Sequence, residues 1–166
     1  LDRPKARAVN KIGHALHDLD PIFAPFSRDP RLAETAVDLG LADPVLAQSM
    51  LICKQPQVGR EVDLHQDATF LVTEPISVTG FWFALEAADR ENGCIMALPG
   101  QHREGLKRLF HYDGDALIMD IMDDTPWDMG GEMALEVPEG AMVVLHGLLP
   151  HRSAPNLSAR SRLAYA

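Results

Sequence analysis

After residue 44 the sequence breaks into short apolar runs divided by turn residues, and this texture most constrains the fold. The runs cover residues 45–54, 64–72, 78–86, 94–99, 116–121, 133–137, 141–146 and 161–166. Each is too short for a typical helix and long enough for a strand. Val137-Pro138-Glu139-Gly140 places Pro and Gly at the second and fourth positions of a turn, which suits a link between two strands. The expected architecture is mainly β with flanking helices, a β-sandwich or jelly roll.

Residues 1–44 read as a mostly helical flank. Asp29-Pro30 gives a cap and a first-turn proline, Leu32, Ala33, Ala36, Val37 and Leu39 make an apolar face, and Gly40 can close the helix. A shorter helix is expected over 12–19, ending before Pro21. No repeat or flexible linker divides the chain, and 166 residues fit one domain. The chain begins at Leu1 without a targeting pattern and stops inside the run 161–166, so it reads as one partial domain cut at both ends.

Charge and cysteine content narrow the function. Fifteen basic residues against twenty-four acidic ones give a formal charge of −9, which argues against a nucleic-acid or anionic-membrane binder. No apolar run approaches the length of a membrane span. Cys53 and Cys94 lack the spacing of a disulfide framework or a zinc site, so a reducing, cytoplasmic location is expected. The two read as small strand hydrophobes.

The stretch Leu64-His65-Gln66-Asp67 carries the clearest chemistry. On a strand, His65 and Asp67 would project to one face about 7 Å apart. An imidazole and a carboxylate make a mixed donor set for iron, manganese or zinc. His151 is the leading third ligand, and His146 competes with it. Two histidines and a carboxylate on one side of a metal leave positions open for a co-substrate and oxygen. Arg162, eleven residues after His151, offers a planar fork for a carboxylate, with Ser153 in support. Arg160 and Arg152 are alternatives, and strand parity does not separate Arg160 from Arg162.

Taken together, His65-Gln66-Asp67, the run from Glu91-Asn92-Gly93-Cys94 through Leu98-Pro99-Gly100-Gln101-His102, and His151-Arg152-Ser153-Ala154-Pro155-Asn156 through Arg162 resemble the phytanoyl-CoA dioxygenase family. Residues 10–17, Gln48-Ser49-Met50 and Lys54-Gln55-Pro56 are similar too. The resemblance implies a double-stranded β-helix of the jelly-roll, cupin-like kind, with its core in 45–166. It implies His65, Asp67 and His151 as ligands of Fe(II), and Arg162 with Ser153 as the anchor of 2-oxoglutarate. Lys11, Met50, Gln66 and Trp82 match positions that line the co-substrate pocket in similar proteins. The implied reaction hydroxylates a small organic or acyl substrate with O2 and releases succinate and CO2. Two other readings use the same residues: a cupin-like hydrolase or isomerase with zinc or manganese, and a catalytically silent β-sandwich binding module. The first has no need of a carboxylate anchor at Arg162, and the second would be marked by loss of a ligand.

Other features read as structural. His14 and His17 share a face of the expected helix at 12–19 and could meet a metal, or could be a partly exposed pair. Asn92-Gly93 and Pro99-Gly100 are turn residues. The acidic stretch 113–128 lacks the pattern of a calcium loop and reads as a solvated insertion. The substrate's identity and the oligomeric state are not encoded legibly.

Overall fold

The structure is a computed structural model that describes residues 8–166. Eleven strands, three short α-helices and several 3-10 turns are described: β1 Lys11–His14, α1 Leu16–Leu19, α2 Phe23–Ser27, α3 Pro30–Asp38, β2 Ser49–Lys54, β3 Val62–His65, β4 Thr79–Ala84, β5 Ile95–Ala97, β6 Arg108–Asp113, β7 Ala116–Ile121, β8 Met133–Leu135, β9 Met142–His146, β10 His151–Ser153 and β11 Arg162–Tyr165. A five-stranded sheet in the order β1-β2-β11-β4-β9 faces a four-stranded sheet in the order β3-β10-β5-β8. The pairings are antiparallel throughout, which makes the expected double-stranded β-helix. No helix among the described residues is long and apolar enough to cross a membrane.

The core lies between the sheets. Trp82, Ala84, Leu145 and Ala164 from the larger sheet meet Ile95 from the smaller one, with Ala88 and Cys94 beside them. The outer face of the larger sheet is covered by α2. Phe23 stacks on Tyr165 at 4.3 Å, and Phe26 meets Phe83 edge-on at 4.8 Å. Such aromatic pairs add to the apolar area they bury.

Two sequence expectations for the flank change. The helix expected over 12–19 is a strand through His14 and a helix only from Leu16. Lys11–His14 gains a hydrogen-bonded partner in β2, with Lys11 opposite Ile52 and Gly13 opposite Met50, and that long-range pairing outweighs local helical periodicity. His14 and His17 therefore do not form a metal pair. Gln48 bonds His14, whereas the buried His17 bonds Ser49 Oγ at 2.7 Å. In α3, Asp29 accepts from Arg31 N at 2.9 Å, as a cap should, and Gly40 closes the helix at a φ of 89°. Of its apolar face, however, only Ala36 is buried.

The acidic stretch is more ordered than expected. Strands β6 and β7 form a separate hairpin. The chain after it is held by Lys107, which donates to Thr125 O at 2.7 Å, approaches Asp123 at 3.3 Å and lies over the Trp127 ring at 4.1 Å. The neighbouring Lys107 and Thr125 hydroxyl and amide lower the Asp123 carboxyl to about 2, with the Thr125 hydrogen bonds the larger cause.

Candidate metal centre

Three ligand atoms converge between the sheets. His65, Asp67 and His151 each offer one donor atom, all within 4.8 Å of one another. His65 and His151 are opposite each other on β3 and β10, so the strand ladder itself sets their spacing. Their ring centroids are 4.3 Å apart. Asp67 arrives differently from the expected alternation along one strand. Strand β3 ends at His65, and Asp67 opens the 3-10 turn Asp67–Thr69, whose bending brings the carboxylate back toward both imidazoles. Asp67 Oδ1 lies 3.5 Å from His65 Nε2 and 3.7 Å from His151 Nε2.

The rings are oriented for ligation. His65 Nδ1 is 2.8 Å from Asp63 O, and His151 Nδ1 is 2.9 Å from Leu149 O. A carbonyl can only accept, so each Nδ1 carries a proton and leaves Nε2, on the Asp67 side, as the atom available to a metal. Burial opposes a charge on His65, yet the Asp67 and Asp63 hydrogen bonds outweigh it and raise its pKa. Burial likewise works against the Asp67 carboxylate, but the two histidines hold its pKa below the usual value. At His151 burial prevails and the pKa is lowered. Two neutral imidazoles and a carboxylate fit a divalent transition metal.

The larger sheet turns several of the other candidate residues toward the same inter-sheet space. Residues paired across neighbouring strands share a face. The registers Lys11↔Ile52, Gly13↔Met50, Arg162↔Lys54 and Ala164↔Ala84 therefore put Lys11, Met50, Trp82 and Arg162 on the inner face. Lys11 is near enough for its charge to oppose protonation of His65. Arg162 is 2% exposed, with its guanidinium 5.3 Å from the Trp82 ring. Its Nε and Nη1 are buried without a hydrogen-bond partner, and burial lowers its pKa to about 10. Unsatisfied buried donors on a cation call for an anion. Ser153, also buried, projects from β10 on the His151 side.

The competing residues lie elsewhere. His146 is outside the cluster: its Nδ1 accepts from Leu148 N at 3.1 Å, and its ring packs against His102 at 5.1 Å. Arg160 is exposed and pairs with Asp89 at 2.7 Å. Arg152 pairs with Glu132 on the outer face of β10.

Gln66, which the resemblance implies lines the co-substrate pocket, is buried and its side chain is held by backbone groups. Its Nε2 donates to Gly105 O and Leu148 O at 2.8 Å each. Its Oε1 accepts from Lys107 N at 3.0 Å. Gln66 clamps the root of the β6–β7 hairpin and the chain leading to His151 onto the ligand turn. On the open side of His65, Phe70 stands 6.2 Å from the imidazole and 5.7 Å from Phe110 of β6.

Sequence reading missed Lys54, a second buried cation beside Arg162. The available signal was parity: Lys54 lies two strand periods beyond Met50, so both face inward.

Comparison with known proteins agrees with this geometry. The chain is 41% identical over 166 residues to a phytanoyl-CoA dioxygenase of Arabidopsis thaliana, covering 100% of this chain and 58% of that protein. It is 45% identical over 166 residues to phytanoyl-CoA dioxygenase domain-containing protein 1 of Bos taurus, covering 98% of this chain and 57% of that protein. The chain thus spans somewhat over half the length of these curated relatives. The fold matches that of EctD from S. alaskensis, solved with 2-oxoglutarate and 5-hydroxyectoine, with a TM-score of 0.72 at 23% identity, covering 94% of this chain and 54% of that one. The phytanoyl-CoA dioxygenase (PhyH) family profile matches residues 2–164. With that match spanning nearly all of it, the chain belongs to the phytanoyl-CoA dioxygenase family.

Proposed function

We propose that this chain is the core of an Fe(II)- and 2-oxoglutarate-dependent oxygenase acting on a small organic or acyl substrate. One observation carries the reading. A buried arginine with two unsatisfied N–H groups shares the inter-sheet space with a three-ligand metal cluster. A zinc or manganese hydrolase on the same fold has no use for such an arginine, and a silent binding module has no use for the ligands. Family membership and the EctD likeness support the same reading.

His65, Asp67 and His151 would hold the metal. Arg162 and Ser153 would receive the distal carboxylate of 2-oxoglutarate, with Lys11, Met50 and Trp82 lining its path. Bound there, the metal and 2-oxoglutarate would supply oxidative chemistry that puts one atom of O2 on the substrate and the other in succinate, with loss of CO2. The protein's own part is orientation and exclusion of water. The Asp63 and Leu149 carbonyls fix the imidazole tautomers. Trp82, Leu145 and Ala164 keep the inner face dry. Phe70 and Phe110 wall the open side of His65.

The test is anaerobic titration of the full chain with Fe(II) and then 2-oxoglutarate, following the visible charge-transfer band of the chelate. A band that needs both additions and is lost in Asp67→Ala is the expected result. A folded, metal-loaded protein that gives no band overturns the reading in favour of redox-inert metal chemistry.

A further inference from the structure

Lys54 is a buried lysine to which the site above gives no task. It ends β2 opposite Arg162 of β11, and it is 1% exposed. Both cations enter the inter-sheet space from paired positions. Among the described residues, no carboxylate lies within 4 Å of either. Two adjacent buried cations without a counter-charge are costly. Burial, reinforced by the Arg162 charge, brings Lys54 down to about 8.

The surroundings are built around this side chain. Lys54 Nζ donates to Arg60 O and Ala154 O, both at 2.6 Å. Ala154 follows Ser153, so the ammonium ties the end of β10 to the strand beside Arg162. Two glycines make room for it. A Cβ on Gly59 would sit 2.7 Å from Lys54 Cα; one on Gly93 would sit 2.9 Å from Lys54 Cδ and 2.5 Å from Ala154 O. Gly93 also holds a φ of 84°, which any other residue would strain to adopt.

We propose that Lys54 is a positioning residue of the 2-oxoglutarate anchor, fixing the Ser153–Ala154 segment against Arg162 and lending the anchor a second positive charge. The assignment rests on the oxygenase reading. Its two roles are separable. A neutral amine keeps two N–H groups, enough for both carbonyls, so deprotonation removes the charge and leaves the tether. The other ionisable groups acting on Lys54 are Arg162 from β11, Glu61 ahead of β3 and Cys94 ahead of β5, with Arg60 giving its carbonyl. Burial pushes the Cys94 thiol up, so it stays uncharged near neutrality.

The experiment compares two ligands on the Fe(II)-loaded full chain without oxygen, from pH 6.5 to 9.5. These are 2-oxoglutarate and 2-oxovalerate, which shares the chelating head but has no distal carboxylate. Expected for the wild type is a fall in 2-oxoglutarate affinity as pH rises through about 8, relative to 2-oxovalerate. Lys54→Met should weaken 2-oxoglutarate about tenfold at pH 7, the order for a unit charge acting through a protein interior. It should also remove the pH-dependent difference between the ligands. If Lys54→Met does not fold, the wild-type ratio of the two affinities across pH decides. A flat ratio, or a folded Lys54→Met that keeps full affinity, overturns this assignment alone. No 2-oxoglutarate binding by metal-loaded wild type at any pH overturns the oxygenase reading and this assignment with it.

Discussion

His65 and His151 come from distant parts of the sequence, yet they are register partners on adjacent antiparallel strands with ring centroids 4.3 Å apart. The ladder aims both Nε2 atoms at Asp67 Oδ1. Two of the three candidate ligands are thus placed by sheet backbone, which is stiffer than a loop and holds donor geometry more closely.

Removal of the carboxylate separates the cluster from its neighbour His146. Asp67→Ala should lower Mn(II) affinity by more than about 100-fold, beyond the loss usual for an outer-shell partner. His146→Ala should retain it, because that ring packs on His102 and its Nδ1 serves a backbone amide. Calorimetric titration of each variant with Mn(II) checks both. Loss of metal in His146→Ala would exchange the roles of His146 and His151.

Gln66→Ala strands three backbone groups, the carbonyls of Gly105 and Leu148 and the amide of Lys107. At about 1 kcal/mol or more for each unsatisfied group, the variant should lose about 2–4 kcal/mol. Urea denaturation measures the loss. Hydrogen exchange should locate the first loosening at Lys107, the root of the hairpin.

Stability should rise as the solution becomes alkaline. Lys54 titrates near 8 when folded and near the ordinary lysine value when unfolded. Between those limits the unfolded chain binds the extra proton, so raising the pH favours the folded state. Denaturation midpoints from pH 7.5 to 8.5, below the range in which the buried Cys53 and Cys94 thiols would oppose the trend, should climb in the wild type and flatten in Lys54→Met. A wild-type midpoint that falls over that range would contradict this account.

Glu132→Gln weakens the paired contact with Arg152 on the outer face of β10. The pair is partly exposed, so solvent screening keeps its worth to about 0.5–1 kcal/mol. Thermal unfolding should show a small shift, and metal affinity should stay unchanged because Arg152 faces away from His151.

The cluster of His65, Asp67 and His151 was legible because its chemistry is carried by residue type and by motif order, and neither depends on strand boundaries. Asp67 was found for an incomplete reason: the pattern implied strand alternation, whereas a 3-10 turn makes the approach. Arg160 and Arg162 have the same parity, so periodicity alone could not tell the buried Arg162 from the exposed Arg160 that pairs with Asp89. Strand β1 was hidden because its partner lies in β2, and short-range pattern carries no record of such pairing. Three-residue strands such as β10 leave too few positions for alternation to register. The backbone partners of Gln66 were hidden because Gly105, Lys107 and Leu148 are distant in sequence and backbone groups leave no residue-type signal.

The Gln66 clamp also decides where this frame can diversify. It joins the hairpin to the ligand turn at one end only, through Gly105 and Lys107. The opposite end turns at Gly114, with Tyr112 and Leu117 facing water beside it. The root is therefore bonded to the turn that carries Asp67, whereas the tip is exposed. Descendants of such a chain can rebuild the outer rim for new molecules while inheriting the inner chemistry intact.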